Sequence, residues 1–325
     1  MTPRAEGPGG ALHSPPHHIL VATWSHAEIV AALRARRPDL ECRGAAHTDL
    51  TEADLAWADT YVGFKRPPDA ATLGGVRWVH CTGAGVDSWL APPALDPAIL
   101  LTRTPESFGP AIAEWAVARI FAVQQHLAEL AAAQREHRWV PRDASRVAGT
   151  RALVVGTGDV GGAIAAALTA VGIIVTGVSR SGRAAHPAFR AMHAVEALPS
   201  LVGEAAWIVL ALPDTPATRG LFSHGVMSRC RGAVLLNAGR GSVVDEAALP
   251  EALNRGWLRG AALDVFAVEP LPASSPLWDD PRVMISPHCS GPTTVAGAVD
   301  GFLECLGELE RRQLPKWAVD HARGY

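Results

Sequence analysis

The segment Leu153-Val-Val-Gly156-Thr-Gly158-Asp159-Val160-Gly161-Gly162 limits what this chain can fold into more than any other. An apolar run stops at Gly156, glycines follow in the order GxGxxG, and an Ala-rich stretch continues to Val171. Each glycine has a mechanical reason. The first permits a tight turn, the second lets a phosphate approach the backbone, and the third lets a helix lie close to a sheet. A helix starting there offers free N–H groups and a positive dipole end to an anion. The pattern predicts strand, turn and helix around a dinucleotide, with Gly156, Gly158, Asp159, Val160 and Gly161 beside the pyrophosphate.

A dinucleotide fold places its second diagnostic about 20 residues further on, at the end of the next strand. An NAD site carries Asp or Glu there. This chain reads Val178-Ser179-Arg180-Ser181-Gly182-Arg183, with no carboxylate and two guanidinium groups. Ser179, Arg180, Ser181 and Arg183 are therefore candidate partners for a 2′-phosphate, which favours NADPH while leaving NADH possible. Solvated loop arginines are the plainer alternative.

The turn sits inside a long β/α alternation. Ile19–Thr23, Tyr61–Phe64, Val76–Cys81 and Ile99–Thr102 read as strands, and Ala27–Arg37 as a helix ended by Pro38. After them Pro110 opens a helical pattern from Ala111 to about His137, long enough to serve as an interdomain or subunit-contact helix. A second series follows, with strands expected at Ala152–Val155, Ile173–Val178, Trp207–Leu212, Ala233–Asn237, Ala261–Val265 and Val283–Ser286. Helices are expected at Val160–Val171, Ala194–Leu201, Glu246–Arg255 and Val295–Arg312. Continuous apolar strands of this kind belong to parallel sheets covered on both faces.

Composition narrows the class. A length of 325 residues suggests two domains. With 29 basic and 32 acidic side chains, the net charge of −3 gives no reason to expect nucleic acid or an anionic membrane as partner. Five widely spaced cysteines without a CxxC pair fit neither a disulfide framework nor a zinc site, and point to a reducing cytoplasm. Residues 1–16 read as a disordered lead-in, and their neighbouring histidines as no metal tract. Val160–Val178 is uncharged over 19 residues, but its glycines make helix, turn and strand a better reading than a membrane span.

Three later segments each put a reactive side chain after a predicted strand: Asn237-Ala238-Gly-Arg240-Gly, Asp264-Val-Phe-Ala-Val-Glu269-Pro270 and Ser286-Pro-His288. In doubly wound sheets the carboxyl ends of the strands line the ligand crevice. Singly, each has a bland reading as ion pair, turn residue or loop. In this order, behind GxGxxG, they resemble the D-isomer-specific 2-hydroxyacid dehydrogenase family, of the glyoxylate/hydroxypyruvate reductase kind. Leu212-Pro213-Asp-Thr215-Pro-Ala-Thr218 is similar to that family's Leu-Pro-x-Thr-x-x-Thr loop, and Thr82-Gly-Ala84-Gly85-Val-Asp87 to its substrate loop. The ending Val319-Asp…Gly324-Tyr325 is similar too, so the resemblance covers nearly the whole chain after the lead-in.

The resemblance implies an α/β fold of two Rossmann-like domains with doubly wound parallel sheets. A discontinuous, flavodoxin-like substrate domain would take residues 17–104 and 292–325, and a dinucleotide-binding domain 105–291. It implies Arg240 on the substrate carboxylate and keto oxygen, His288 as proton donor, and Glu269 orienting His288 and favouring its imidazolium. Backbone N–H groups of Ala84 and Gly85 would hold the carboxylate. Asp264 would take the nicotinamide amide, and Leu212, Pro213, Thr218, Ala238 and Ser290 would line the cofactor. No metal is implied. Lys65 is a softer substrate candidate, a homodimer is expected, and some relatives lend a bulky residue near Trp139 to a neighbouring subunit's site. Formate oxidation on this fold uses Gln where this chain has Glu269. The expected reaction is hydride transfer from NADPH to a small 2-keto acid, giving the D-2-hydroxy acid. A non-catalytic NAD(P)-sensing partner protein on the same fold is the alternative.

Overall fold

The computed structural model describes residues 17–67, 73–104, 108–143, 145–183 and 186–324. The expected lead-in, residues 1–16, lies outside the described residues. The chain divides into two compact units, Met1–Ser107 with Thr293–Tyr325, and Phe108–Pro292.

In the first unit β1 (His18–Ala22), α1 (His26–Arg36), β2 (Glu41–Ala45), α2 (Glu52–Trp57), β3 (Thr60–Val62), β4 (Trp78–Cys81), α3 (Asp87–Leu90) and β5 (Leu100–Arg103) follow in order. The five strands are parallel, in the order β2-β1-β3-β4-β5. That is the flavodoxin-like arrangement, whose ligands lie at the carboxyl ends of the strands. Strand periodicity divides the core into two layers. Ile19 and Val21 pack with Ile29 and Leu33 on one face, and Leu20 and Ala22 with Tyr61 and Trp89 on the other.

The second unit begins with α4 (Gly109–Gln124) and α5 (Leu127–Arg135). Then come β6 (Arg151–Val155), α6 (Asp159–Ala170), β7 (Ile174–Ser179), β8 (Ala191–Ala194) and α7 (Leu198–Leu201). They are followed by β9 (Trp207–Leu210), α8 (His224–Met227), β10 (Ala233–Asn237), α9 (Leu249–Asn254), β11 (Leu258–Leu263) and β12 (Val283–Ile285). All seven strands are parallel, ordered β12-β11-β10-β9-β6-β7-β8. The order reverses between β6 and β9, the switch point where this topology opens a crevice. Last, α10 (Val295–Glu310) returns to the first unit, where Phe302 stacks on Trp78 with centroids 5.0 Å apart. The α/β expectation of two doubly wound parallel sheets is met.

Several expected elements differ. The single helix from Ala111 to about His137 is two, because His126 adopts a left-handed φ of 55° and its N–H bonds Val123 O, tightening the last turn. Edge strands β2 and β8 were not anticipated; Glu-Cys-Arg-Gly-Ala and Ala-Met-His-Ala lack the apolar run of a doubly covered strand. The expected helix Ala194–Leu201 is the end of β8, a 3₁₀ turn and the short α7, while Glu246–Arg255 is a 3₁₀ turn followed by α9. Val160–Val178 is α6, a Gly172 turn and β7, and among the described residues no helix is long and apolar enough to cross a membrane.

Candidate active site

The phosphate turn is built as its glycines require. Gly156 has a φ of 97°, and a Cβ there would lie 2.3 Å from Ala211 O. At Gly161 a Cβ would lie 1.9 Å from Gly156 O. Neither position admits a side chain. Gly158 differs: its φ of −73° is open to any residue, and a Cβ would meet no atom within 4 Å. It is exposed at the N-cap of α6. Open space against bare backbone at a helix N-terminus fits a pyrophosphate, with the N–H groups of Asp159 and Val160 beside it.

β7 ends at Ser179, whose hydroxyl donates to Arg183 O at 3.3 Å and so closes the turn carrying Arg180, Ser181 and Arg183. All three of those residues are exposed. After β9, the Leu212–Thr218 loop is closed by its own hydroxyl: Thr218 Oγ1 donates to Pro213 O at 2.6 Å and accepts from Thr215 N at 2.9 Å. Asp214 in this loop is held below the usual carboxylate range by its hydrogen bond to Arg219, with Arg240 adding to the effect.

Arg240 is aimed from behind. Asn237, buried at the end of β10, donates to Arg240 O at 3.0 Å and accepts from Gly239 N at 3.1 Å. Arg240 Nη1 in turn donates to Gly239 O at 2.8 Å. Gly241 follows because the chain passes Phe266 closely; a Cβ would sit 1.9 Å from its carbonyl carbon.

Glu269 and His288 form one unit. His288 Nδ1 lies 2.7 Å from Glu269 Oε2, while Glu269 Oε1 accepts from Phe266 N at 2.9 Å. A carboxylate only accepts, so Nδ1 carries its proton in both charge states of the ring. Nε2 is then the atom that gains or loses the other proton. His288 itself is left-handed, with φ 50°, and the loop after β12 is pinned to Asp264. The fully buried Asp264 accepts from Ser286 Oγ at 2.6 Å and Cys289 N at 3.1 Å through Oδ1, and from Ser290 N at 2.9 Å through Oδ2. Trp115 on α4 donates its indole N–H to Ser286 Oγ at 3.0 Å. A proton donor, a guanidinium and a nucleotide-sized turn on one unit suit reduction of a carbonyl beside an anion.

The sequence pattern of the NAD binding domain of D-isomer specific 2-hydroxyacid dehydrogenases matches residues 117–290. A glyoxylate/hydroxypyruvate reductase A from Citrobacter koseri is 36% identical over 262 residues, 77% of this chain and 82% of that protein. Among solved structures, a D-isomer specific 2-hydroxyacid dehydrogenase from Xanthobacter autotrophicus Py2, in complex with NADPH and MES, gives a TM-score of 0.87 at 32% identity. The match covers 96% of this chain and all of that one. An NADPH-dependent glyoxylate/hydroxypyruvate reductase from Sinorhizobium meliloti, in complex with NADP and sulfate, gives 0.84 at 29% identity, covering 95% of this chain and 100% of that one. The chain belongs to the D-isomer-specific 2-hydroxyacid dehydrogenase family.

It is an NAD(P)-dependent oxidoreductase of that family. In this 2-hydroxyacid dehydrogenase the second unit brings Arg240, Glu269 and His288 to the carboxyl ends of β10, β11 and β12. Ala238 bonds Leu210 O through its N–H, and the buried Ser290 bonds Asp264. The Asp264 carboxylate accepts from Ser286 and from the backbone of the His288 loop. In the first unit Lys65 is exposed after β3, and Ala84 and Gly85 lie in the loop after β4. Among the described residues no group of three or more His, Cys, Asp or Glu could hold a metal ion. Sequence reasoning assigned no role to Asn237, Ser286, Trp115 or Glu246, which accepts from Ala267 N at 3.0 Å beside the Glu269 turn. Asn237 and Ser286 stand inside quoted motifs, so the signal was present; Trp115 carried none.

Proposed function

We propose that this enzyme reduces a small 2-keto acid, with glyoxylate and hydroxypyruvate as leading substrates, using NADPH in preference to NADH. The observation that carries the reading is the Glu269–His288 pair at 2.7 Å, beside a loop that aims Arg240. Bound dinucleotide supplies the hydride. Arg240 binds the carboxylate and polarises the keto oxygen through its planar donor fork. His288 passes its Nε2 proton to that oxygen as the carbonyl carbon gains hydride, and Glu269 stabilises the ring before the transfer and orients it throughout. The product is the D-2-hydroxy acid. Backbone N–H groups of Ala84 and Gly85 hold the carboxylate, and Lys65 lies among the candidate contacts for the rest of the substrate.

Gly156, Gly158, Asp159, Val160 and Gly161 hold the pyrophosphate, and Ser179, Arg180, Ser181 and Arg183 the 2′-phosphate. Leu212, Pro213, Thr218, Ala238 and Ser290 line the remainder of the cofactor. Asp264 acts by anchoring the His288 loop. Relatives whose structures contain NADPH or NADP support NADP(H) as a cofactor. We further propose a cytoplasmic homodimer that uses the region from α4 to Trp139. Leu127, Leu130 and Trp139 expose 53%, 39% and 96% of their surfaces there, an apolar area that a second copy would cover.

Initial rates with NADPH across glyoxylate, hydroxypyruvate, pyruvate and phenylpyruvate test the substrate. Highest kcat/KM on the first two is expected. NADPH binding without turnover on any of the four would instead indicate a cofactor-sensing protein.

A further inference from the structure

Three successive carbonyl groups of the loop after β4 are bonded back into the first unit. Gly83 O accepts from Thr104 N at 3.2 Å, Ala84 O from Arg103 Nη1 at 3.2 Å, and Gly85 O from Cys81 Sγ at 3.4 Å. In a trans peptide the N–H points opposite to the C=O of the same unit. Tying these carbonyls down therefore turns the N–H groups of Ala84, Gly85 and Val86 the other way. Among the described residues no partner takes those three N–H groups. Successive N–H groups turned out together make a concavity suited to an anion.

The tethers are themselves braced. Thr104 Oγ1 donates to Cys81 O at 3.5 Å, since a carbonyl only accepts. Its oxygen is then the acceptor for His80 Nε2 at 2.9 Å. His80 Nδ1 is left to accept from Thr102 Oγ1 at 2.8 Å, and that oxygen also takes the Trp78 indole N–H at 2.8 Å. Burial pushes His80 down to about 3, so this ring stays neutral and the direction of the chain is fixed. Arg103 lies over the Trp317 ring, 6.0 Å from its centroid, and its backbone N–H bonds Trp317 O at 3.2 Å.

We propose that Arg103, Thr104 and Cys81 are positioning residues that hold the Gly83–Val86 loop with three N–H groups, Val86 included, turned towards the substrate carboxylate. This rests on the 2-keto acid reading above. Arg103 is the principal tether: it supplies a charge-assisted donor, against a neutral amide from Thr104 and a weak thiol from Cys81. The group restrains the loop through its carbonyls and takes no part in proton transfer.

The experiment compares the wild type with Arg103→Met, which keeps an unbranched stem near Trp317 and loses the donor, and with Arg103→Lys. A second variant, Thr104→Val, removes the hydroxyl but keeps the amide bond to Gly83. For each we would measure kcat and KM for glyoxylate, the Kd of oxalate, the Kd of NADPH and Tm. Arg103→Met should raise both the glyoxylate KM and the oxalate Kd about tenfold. Its kcat should stay within about threefold and NADPH affinity should be unchanged. Arg103→Lys should recover part of the loss, and Thr104→Val should move KM in the same direction. A folded Arg103→Met and Thr104→Val with wild-type KM and oxalate affinity would overturn the tether, and a lower Tm alone would mark these residues as merely structural. If Arg103→Met does not fold, Thr104→Val decides by the same split. A wild type that reduces no 2-keto acid overturns the function instead, and the oxalate affinities then decide the tether alone.

Discussion

Asp264 and His288 are joined through their backbones without their side chains meeting. The His288 N–H donates to Asp264 O at 2.8 Å, while the Asp264 carboxylate takes the N–H groups of Cys289 and Ser290, the next two residues. The backbone on both sides of the left-handed His288 is thus held by one buried residue. A left-handed non-glycine residue persists where its surroundings over-determine it, and this anchor supplies that restraint.

Replacing the anchor tests it. Asp264→Asn puts an amide donor where the carboxylate now accepts, so one buried N–H or the Ser286 hydroxyl loses its partner. Each buried group left unsatisfied costs about 1–3 kcal/mol. We expect a destabilised enzyme whose kcat falls at least about tenfold as the His288 loop loosens. NADPH affinity should change little. A selective loss of NADPH binding with intact stability would point to the nicotinamide contact instead.

The charge of Glu269 should be separable from its role in orienting His288. Glu269→Gln keeps a group able to accept from Nδ1 but removes the negative charge 2.7 Å away. A neutral partner keeps the ring oriented but no longer offsets the positive charge of the proton donor, so kcat with glyoxylate should fall about tenfold while KM and NADPH affinity stay within about threefold. Initial rates of NADPH oxidation at one fixed pH check this. An unchanged kcat would leave Glu269 with orientation alone.

Much of this site was legible because its motifs are local. Gly156, Gly158 and Gly161 announce themselves by spacing, and β6 and α6 follow from their neighbours. Asp264 was legible as a site residue, but its bonds to Ser286, Cys289 and Ser290 were not, because a sequence does not show which backbone groups a buried carboxylate takes. The Trp115–Ser286 bond joins residues 171 apart, and no periodicity announces such a contact. The same holds for the edges of the sheets. β2 and β8 have a neighbour on one side only, so their residues need not be apolar. The break at His126 lacks the Gly or Pro that marks most helix ends, and long-helix periodicity ran straight through it.

Cofactor choice should respond to the turn after β7. The 2′-phosphate carries roughly −1.5 to −2 charges, by analogy with other phosphomonoesters. Each charge-assisted hydrogen bond to it contributes about 1.5–3 kcal/mol, less where solvent screens it. The wild type should therefore favour NADPH over NADH by about tenfold or more in kcat/KM. Arg180→Ala should remove much of that preference while sparing NADH, and Ser179→Asp should reverse it. Equal wild-type efficiency with both cofactors would make these arginines ordinary surface charges.

His80 should leave an acid signature in stability. Its folded value near 3 lies below the ordinary 6.5, and burial is the cause. The unfolded chain then binds a proton that the folded chain refuses, so stability is complete above about pH 6.5 and is lost as pH falls towards 3. The limiting slope for one such group is about 1.4 kcal/mol per pH unit. His321, also lowered by burial, adds in the same direction. Urea unfolding at pH 7 and pH 5 should show the loss, and His80→Asn should reduce it. An identical pH dependence in that variant would contradict the assignment.

The most direct test is NADPH consumption with glyoxylate, followed with glycolate formation, for the wild type and His288→Asn side by side. The wild type should form one glycolate per NADPH consumed. The variant should turn over at least about 100-fold more slowly, the usual lower bound for a positioned acid, with NADPH affinity unchanged. A wild type that forms no glycolate, or a variant as fast as the wild type, would contradict the assignment of this site as a 2-keto acid reductase driven by the Glu269–His288 pair.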